Sequence, residues 1–415
     1  MRNIFVIICL LISVSISAQR FENRIYSPKI KTLQIYNSKK TTSFPSIELG
    51  SEERLVISFD EMEYSQQVFF YKIIHCDRHF RKSQLSEMEY YDGFTENQIY
   101  DIWLSENTLT NYTHYQFELS SEGFKVSGNY ALLIAKDQDF SSPVAVALFY
   151  VSESMVDIYA NVSGLSQKGF STKYQQVDVE VDNSKIAVQN PMADFNLCVI
   201  QNRREDNMVC DLKPSFPATY KQQYSNMKEL SFEGGNEYRF VDFADEYSYS
   251  GQIDRIDIKS EYYSVFTIAA EPRNMMFEPT GYGNALGRFI VNRKRYPVRD
   301  YMADYMWVNF ILPADLDYMQ YDIYILGDMF SNRLDEDSKM EYLQEENIYY
   351  KSAFLKQGGY SYLYAFVPKT NSVKQANLSQ FEGSYWQTDN EYTILMYYTP
   401  WGSRYDRLVG VKTVK

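Results

Sequence analysis

The three histidines of the chain, His75, His79 and His114, are the first residues to weigh as centres of chemistry. His75-Cys76-Asp77 with His79 nearby offers imidazole, thiolate and carboxylate groups, which are all ligands of zinc. Their spacing fits no compact tetrahedral zinc pattern, and a second ligand pair is missing. Because side chains alternate along a strand, Cys76 is expected to point away from both histidines. We therefore predict no metal site here, but a strand end with one buried thiol and partly exposed imidazoles.

The sequence also lacks the common catalytic motifs. Neither the nucleophile elbow GxSxG nor the phosphate-binding GxxxxGK occurs in it. With 54 Asp and Glu residues, some carboxylates must lie close together without forming an acid–base pair. We predict no catalytic residues, no cofactor and no enzymatic activity. A hydrolase with an unrecognised carboxylate pair is an alternative, which broad substrate screening without turnover would retire.

Two cysteines, Cys198 and Cys210, flank a predicted hairpin centred near Arg204, and in that register they lie opposite each other. In an exported protein they could form a disulfide. Cross-strand geometry is restrictive, so two free thiols packed as small hydrophobic groups are an equally open interpretation. Cys76 would then be left over and buried.

The elements that position these residues are predicted to be short strands. Tyr and Phe number 38 and 26 against 18 Gly and 12 Pro, and aromatic residues suit a pleated, half-buried surface. Long segments at helical spacing are scarce. The pattern predicts an all-β fold of tandem immunoglobulin-like or E-set β-sandwich domains with few short helices. The predicted strands include residues 33–36, 54–59, 68–74, 130–134, 144–151, 177–181, 238–243, 265–269, 307–312, 322–326, 360–367 and 392–398.

The organisation of the chain begins with a predicted signal peptide over residues 1–18, in which Arg2 precedes an apolar run and small residues lead to Ala18. No later stretch approaches the ~20 apolar residues that a membrane-spanning helix needs. Breaks in the strand pattern near Val151 and between residues 271 and 287 predict three domains. These are an N-terminal β-sandwich (19–152), a central β-sandwich (153–285) and a C-terminal E-set or glycogen-binding-like β-sandwich (286–415).

Two classes of ligand can be weighed from composition and pattern. The net charge of −13 would repel nucleic-acid phosphates, so we predict no nucleic-acid partner. The strands near Tyr324 and Tyr360 follow the layout of glycogen-binding sandwiches, which stack sugars on aromatic rings. Carbohydrate binding by the C-terminal domain, involving Tyr324 or Trp386, is therefore the alternative function. Ordinary sandwich core is the favoured interpretation of these tyrosines.

Several sequence blocks together resemble the type IX secretion system plug protein family. The N-terminal part of the resemblance lies in HCD at 75–77, LSEMEYYDGF at 85–94, YTHY at 112–115 and FKVSGNY at 124–130. The later part lies in QN at 201–202, DLKP at 211–214, GNEYR at 235–239, EPR at 271–273, NEYTI at 390–394 and WGSRYDRL at 401–408. The blocks follow the family order over nearly the whole chain after residue 18.

The resemblance implies a specific role. Proteins of this family are periplasmic factors of gliding, type IX-secreting Bacteroidota, located at the inner face of the outer membrane. They bind the periplasmic opening of the large outer-membrane translocon β-barrel and close it when no substrate occupies the pore. The resemblance therefore implies a non-enzymatic binding protein that does not itself span the membrane.

The surface that contacts such a partner is expected to lie in loops, where binding residues are concentrated, and to contain Tyr, Trp, Phe and Arg. Residues 88–94 and 401–407 combine these features. The predicted partner-binding residues are Met88, Tyr90, Tyr91, Phe94, Trp401, Arg404, Tyr405 and Arg407. A purely structural role of these loops in turn formation and corner packing is the competing interpretation.

Overall fold

The computed structural model describes residues 20–39, 41–277, 279, 285–294, 299–371 and 374–415. The predicted signal peptide lies outside these residues. The described chain consists of mainly antiparallel sheets, in which β3 with β10 and β23 with β25 are parallel pairs, and of short helices, α1 (Glu87–Tyr90), α2 (Pro191–Asp194) and single 3-10 turns. The all-β prediction is confirmed. In the described part of the chain, no helix is long and apolar enough to cross a membrane.

The first unit is a sandwich of two sheets. One sheet has the order β1-β10-β9-β5-β6, with β3 also paired to β10, and the other has the order β2-β4-β8-β7. Stacked rings such as Phe59 on Tyr115 and Tyr130 on Phe149 fill the space between them. Its strands are β1 (Arg24–Ile25), β2 (Ile30–Asn37), β3 (Ser46–Glu48), β4 (Arg54–Glu61), β5 (Phe70–Cys76), β6 (Glu96–Gln98), β7 (Ile102–Leu104), β8 (Thr113–Ser120), β9 (Gly128–Ala135) and β10 (Ala145–Ser152).

The middle unit begins with a sheet of order β11-β14-β18-β17, with β19 also paired to β14, and continues with the β15–β16 hairpin. A core of aliphatic residues with Phe195, Tyr224, Phe232 and Tyr392 lies between the two layers. Its strands are β11 (Asp157–Ser163), β12 (Leu165–Ser166), β13 (Gly169–Phe170), β14 (Tyr174–Asp182), β15 (Phe195–Gln201), β16 (Val209–Leu212), β17 (Phe216–Pro217), β18 (Lys221–Tyr224) and β19 (Ser231–Glu233).

The third unit contains sheets of order β21-β20-β29-β24, with β26 also on β29, and β22-β23-β25-β28-β27. Its core includes Phe310, Tyr362, Tyr364 and Phe366, all buried. Its strands are β20 (Arg239–Asp242), β21 (Ser250–Gly251), β22 (Ile253–Ile258), β23 (Tyr263–Thr267), β24 (Phe289–Val291), β25 (Tyr305–Pro313), β26 (Tyr321–Leu326), β27 (Glu341–Leu343), β28 (Ile348–Lys356) and β29 (Gly358–Pro368).

The chain then returns to the middle unit. Strand β30 (Tyr392–Tyr398) pairs antiparallel with β15, Leu197 facing Met396, and β31 (Arg407–Val414) pairs with β30. The predicted boundary between residues 285 and 286 therefore has to be redrawn. It divides the third unit, since β20 to β23 precede it, and it assigns β30 and β31 to the wrong sheet. Pairing between distant strands leaves no local trace in the sequence, which is why the strand pattern gave sequential domains.

The first and middle units share an apolar interface. Strand β9 is buried along its whole length because one face lines the core of the first unit and the other meets the middle unit. On the second face Leu133 and Leu148 belong to the same buried cluster as Ile200, Leu395 and Tyr397. The contact resembles the inside of a domain, so the two units are expected to move as one body.

A buried ion network joins the first unit to the third. Asp60 of β4 is 1% exposed, and its Oδ2 lies 2.6 Å from Lys356 Nζ of β28, which is equally buried. Tyr305 Oη donates to Oδ2 at 2.5 Å, and His114 Nδ1 lies 2.6 Å from Oδ1. Burial alone would raise the pKa of Asp60, but Lys356 and His114 outweigh it and hold that pKa below its usual value.

A second buried network lies inside the third unit. Glu382 is fully buried and accepts hydrogen bonds from Arg239 Nε at 3.0 Å and from Arg273 Nη2 at 2.7 Å. The Tyr364 backbone N–H donates to the same carboxylate at 2.9 Å. Burial opposes ionisation of Glu382, but the two guanidinium groups prevail and lower its pKa. The network ties the loop at 271–273 to β20 and β29.

The Cys198–Cys210 pair is joined as a disulfide in the structure, across the β15–β16 hairpin, whereas Cys76 is a buried free thiol. A bulge between Leu197 and Val199 shifts the hairpin register and places the two cysteines together.

We expect removal of this disulfide to lower the free energy of unfolding by about 3 kcal/mol, because it closes a loop with a sequence separation of 12. The measurement is urea unfolding of the Cys198→Ala/Cys210→Ala variant against the parent protein. In the presence of reductant the two proteins should become equally stable. Alkylation of Cys198 and Cys210 in the unfolded, unreduced parent protein would contradict the bridge.

Candidate docking surface

Helix α1 is a single turn that presents a methionine to solvent. The N–H and Oγ of Ser86 both donate to Glu89 Oε2 at 2.8 Å, the arrangement by which Ser-x-x-Glu starts a helix. Tyr90 fixes the inner side of the turn, since it is 2% exposed and its Oη donates to the Ile73 carbonyl at 3.0 Å. Met88 on the outer side is 82% exposed.

The segment after α1 exposes a phenylalanine, Phe94, to solvent as well. Gly93 has φ +95°, a backbone conformation that a residue with a Cβ rarely adopts. The turn leaves Phe94 83% exposed, and Asn97 Nδ2 donates to the Phe94 carbonyl at 2.8 Å. Tyr91 packs edge-on against Phe124 with ring centroids 5.1 Å apart, so it is half-buried.

The loop between β30 and β31 supplies a tryptophan. Trp401 is 98% exposed, and Gly402 beside it has φ +84°. The far end of the loop is anchored by Asp406, which accepts from Arg78 Nη1 at 3.0 Å and from the Arg78 backbone N–H at 2.9 Å. Arg407 pairs with Glu153, so its guanidinium is engaged within the protein.

These two loops come from different units and meet at one place. Arg404 forms an ion pair with Glu89, which joins the loop at 401–405 to helix α1. Hydrogen bonds from Ser86 and the pair with Arg404 lower the pKa of Glu89 to about 2, so its carboxylate stays charged. We call residues 86–94 and 401–405 together the docking face.

The predicted partner-binding residues divide into two groups on this face. Met88, Phe94 and Trp401 project into solvent, and the Arg404 side chain is half exposed. The prediction that Tyr90 binds a partner is wrong, because Tyr90 is buried against β5 and cannot touch a partner. Half-buried Tyr91 and Tyr405 support the loops from below, and Arg407 stabilises the junction with Glu153.

A buried histidine lies beneath the face. The ring centroids of Tyr130, Tyr405 and Tyr90 lie 4.9, 5.6 and 5.8 Å from that of His75. Burial lowers the pKa of His75 to about 4, so the imidazole is neutral at pH 7. The expectation of a partly exposed imidazole at this position is wrong. Gly128 is required here, because a Cβ would lie 2.6 Å from His75 Nε2.

Charged groups around the docking face are paired locally. Lys72 Nζ lies 3.3 Å from Glu87 and 2.5 Å from Glu96, and Lys125 Nζ lies 3.5 Å from Asp92. Among the described residues no group of three or more His, Cys, Asp or Glu side chains is placed to hold a metal ion. The face therefore offers exposed apolar side chains, and the charged groups around them have ionic partners within the protein.

The tyrosines of β26 and β29 do not form a sugar-stacking surface. Tyr324, Tyr360, Tyr362 and Tyr364 are all buried, so their rings lie in the core. Trp386, about one-third exposed, lies against Gly164 of the middle unit. The strand tyrosines therefore give no support to carbohydrate binding as the alternative function.

Sequence reasoning missed the ion pair between Glu89 and Arg404. Ser86 and Glu89 form a recognisable helix-start pattern, which could have predicted α1 and the outward direction of Met88. No local signal could reveal Arg404 as the partner, because the two residues are separated by 315 positions.

Comparisons with known proteins agree with this architecture. Residues 30–153 match the family model described as the type 9 secretion system plug protein 1st domain. The chain is similar to the crystal structure of a hypothetical protein from Parabacteroides merdae, with 36% identity and a TM-score of 0.91, over 95% of this chain and 99% of that chain. A Pseudomonas fluorescens alkylpurine DNA glycosylase structure shares 11% identity over 30% of each chain, with a TM-score of 0.18. No curated protein matches the chain.

Proposed function

Because this chain belongs to the type 9 secretion system plug protein family, we propose that it is a non-enzymatic periplasmic plug of the outer-membrane translocon. It binds the periplasmic opening of the translocon β-barrel, at the inner face of the outer membrane, and closes the pore when no substrate occupies it. The observation that supports a binding role most directly is the docking face, where Met88, Phe94 and Trp401 are each more than four-fifths exposed.

The chemistry of this face suits protein contact. Interface cores are enriched in Trp, Phe, Met and Arg and depleted of unpaired charge. The docking face has the three exposed apolar side chains, and its ionic groups are neutralised by partners such as Arg404 for Glu89 and Lys125 for Asp92. We expect it to bind an apolar surface of the barrel with little dependence on salt.

Rigidity supports the closing role. The docking face spans the first and middle units, and the apolar interface and the Arg78–Asp406 pair hold these units together. The Asp60–Lys356 network adds the third unit to the same body. A preformed surface loses little conformational entropy on binding, and a body of three packed units can obstruct a wide pore.

We expect the Met88→Asp/Trp401→Asp double variant to lose association with the translocon. Each substitution removes an exposed apolar anchor and places a charge at the contact, which at a hot spot costs at least about 2 kcal/mol, or roughly 30-fold in affinity. The measurement is recovery of the barrel with tagged protein from native membranes, together with leakage of large antibiotics into the cells.

The matched control is Leu316→Asp, which changes an equally exposed apolar residue of the third unit, outside the docking face. It should recover the barrel as the parent protein does. Photo-crosslinkers at positions 88 and 401 should join the chain to the barrel. If the parent protein recovers no barrel, the plug function is refuted. If the double variant recovers as much barrel as the parent, the function stands but the docking face is misplaced.

A further inference from the structure

A cavity lined by both apolar and polar side chains lies where the three units meet. Its volume is about 120 Å³, well above the ~10–15 Å³ of probe-occupied space that one water molecule needs. The first unit contributes β2 and the segment at 41–45, the middle unit contributes the β15–β16 turn, and the third unit contributes the segments at 288–289 and 328–332. The polar side chains that line it include Arg203, Glu205, Arg288, Asp328 and Asn332.

Three of these residues have a buried polar atom without a hydrogen-bond partner. They are Arg203 Nε, Arg288 Nε and Asn332 Oδ1. Arg288 and Asn332 are more than nine-tenths buried, so bulk water does not supply the missing hydrogen bonds. Two N–H donors and one acceptor therefore remain unused around one cavity, and such groups are costly unless something satisfies them.

The charge of Arg203 is weakly compensated within the protein. Its Nη1 lies 3.9 Å from Asp328 Oδ2, beyond hydrogen-bond distance, and its Nη2 donates to the Thr42 carbonyl at 2.7 Å. Burial and the neighbouring Arg288 lower the pKa of Arg203 to about 10, so it is charged at neutral pH. Burial raises the pKa of Asp328.

The remaining carboxylates have their own partners. Glu205 pairs with Arg20 at 3.0 Å, and Glu391 pairs with Arg288. Asp328 Oδ1 accepts from Asn332 Nδ2 at 2.5 Å. None of them supplies the missing contact to either Nε.

Backbone strain is concentrated at the same place. Asn202 and Arg203 have φ of 49° and 58°, and Ser331 and Asn332 have φ of 53° and 51°. Consecutive left-handed residues without glycine are disfavoured, and strain of this kind is typical of ligand-binding positions. Both strained turns direct residues to the cavity.

We propose that this cavity is a binding site for a small oxyanion, such as hydrogen phosphate, held between Arg203 and Arg288. The oxygens of such an ion accept from guanidinium N–H groups, and its hydroxyl can donate to Asn332 Oδ1. Because the lining comes from all three units, the bound ion stabilises their arrangement. The site lies apart from the docking face and does not depend on the plug function.

The experiment is calorimetric titration of the purified, phosphate-free protein with inorganic phosphate, in a non-phosphate buffer at pH 7. Sodium chloride at matched ionic strength is the parallel titration. We expect saturable heat with phosphate only, and a melting temperature that rises with phosphate concentration as a ligand of the native state requires. Absence of saturable heat from the parent protein would overturn the proposal without any variant.

The variants locate the site. Arg203→Met should weaken phosphate binding at least tenfold, with circular dichroism used to verify folding. Arg255→Met, which removes an exposed arginine from β22, should bind phosphate as the parent protein does. Equal binding by a folded Arg203→Met variant would refute the site, even if the parent protein binds phosphate.

Discussion

The Asp60→Asn substitution is expected to lower the free energy of unfolding by about 3–5 kcal/mol at pH 7, because it leaves the buried Lys356 ammonium without a counter-ion. The amide retains the size of the carboxylate, so the loss reports charge rather than packing. Urea unfolding followed by circular dichroism measures it. The Asp60→Asn/Lys356→Met double variant should recover part of the loss, since the unpaired ammonium is removed too.

The pH dependence of stability identifies the loss of the Asp60 carboxylate as the cause of this destabilisation. The pKa of Asp60 is lower in the folded protein than its unfolded value of about 3.9. Its contribution to stability is therefore fully present above that value and is lost as the pH falls through the folded pKa. The difference in stability between the parent and Asp60→Asn proteins should shrink below about pH 4.

An exposed pair provides the control for this substitution. Asp157 lies 2.7 Å from Lys185, and both side chains are about half exposed. Asp157→Asn should change stability by less than about 1 kcal/mol, because solvent screens such pairs. If Asp60→Asn lowers the free energy of unfolding no more than Asp157→Asn does, the interface between the first and third units does not depend on this network.

The Glu382→Gln substitution, inside the third unit, is also expected to lower the free energy of unfolding by about 3–5 kcal/mol. Glu382 is the shared acceptor of Arg239 and Arg273, so the amide leaves two buried guanidinium groups without a negative partner. Its NH2 group would also face donors. The measurement is urea unfolding, with hydrogen exchange of the loop at 271–273 as a local readout.

The matched control for Glu382→Gln is Glu180→Gln, since Glu180 pairs with Lys221 at 2.7 Å on the surface. It should cost less than about 1 kcal/mol. Faster exchange confined to the third unit would agree with the local role of Glu382. Unchanged stability and exchange in the Glu382→Gln variant would show that the two arginines find other acceptors.

The sequence was sufficient to identify individual strands. The apolar and aromatic run at 130–134 lies within β9, the run at 322–326 lies within β26, and the run at 392–398 is β30. Such runs carry their own signal, because β-branched and aromatic side chains fit a pleated surface whatever their partner.

The partners of the strands and the docking face were less accessible to sequence reasoning. Pairing of β15 with β30 depends on contacts between residues almost 200 positions apart, for which local pattern gives no information. The family blocks pointed to important residues without distinguishing their roles. Arg239 and Arg273 stand in such blocks and bind Glu382 inside the protein, whereas Met88 and Trp401 stand in others and face solvent.

The return of the chain to the middle unit sets an order of events during synthesis. As the chain emerges from its N-terminal side, the first unit can close on its own strands, β1 to β10. Strand β15 must wait, with one edge unsatisfied, until the whole third unit has emerged and β30 arrives. An open edge of this kind invites pairing with foreign strands. The interval before closure is thus the period in which this protein has the greatest need of a chaperone.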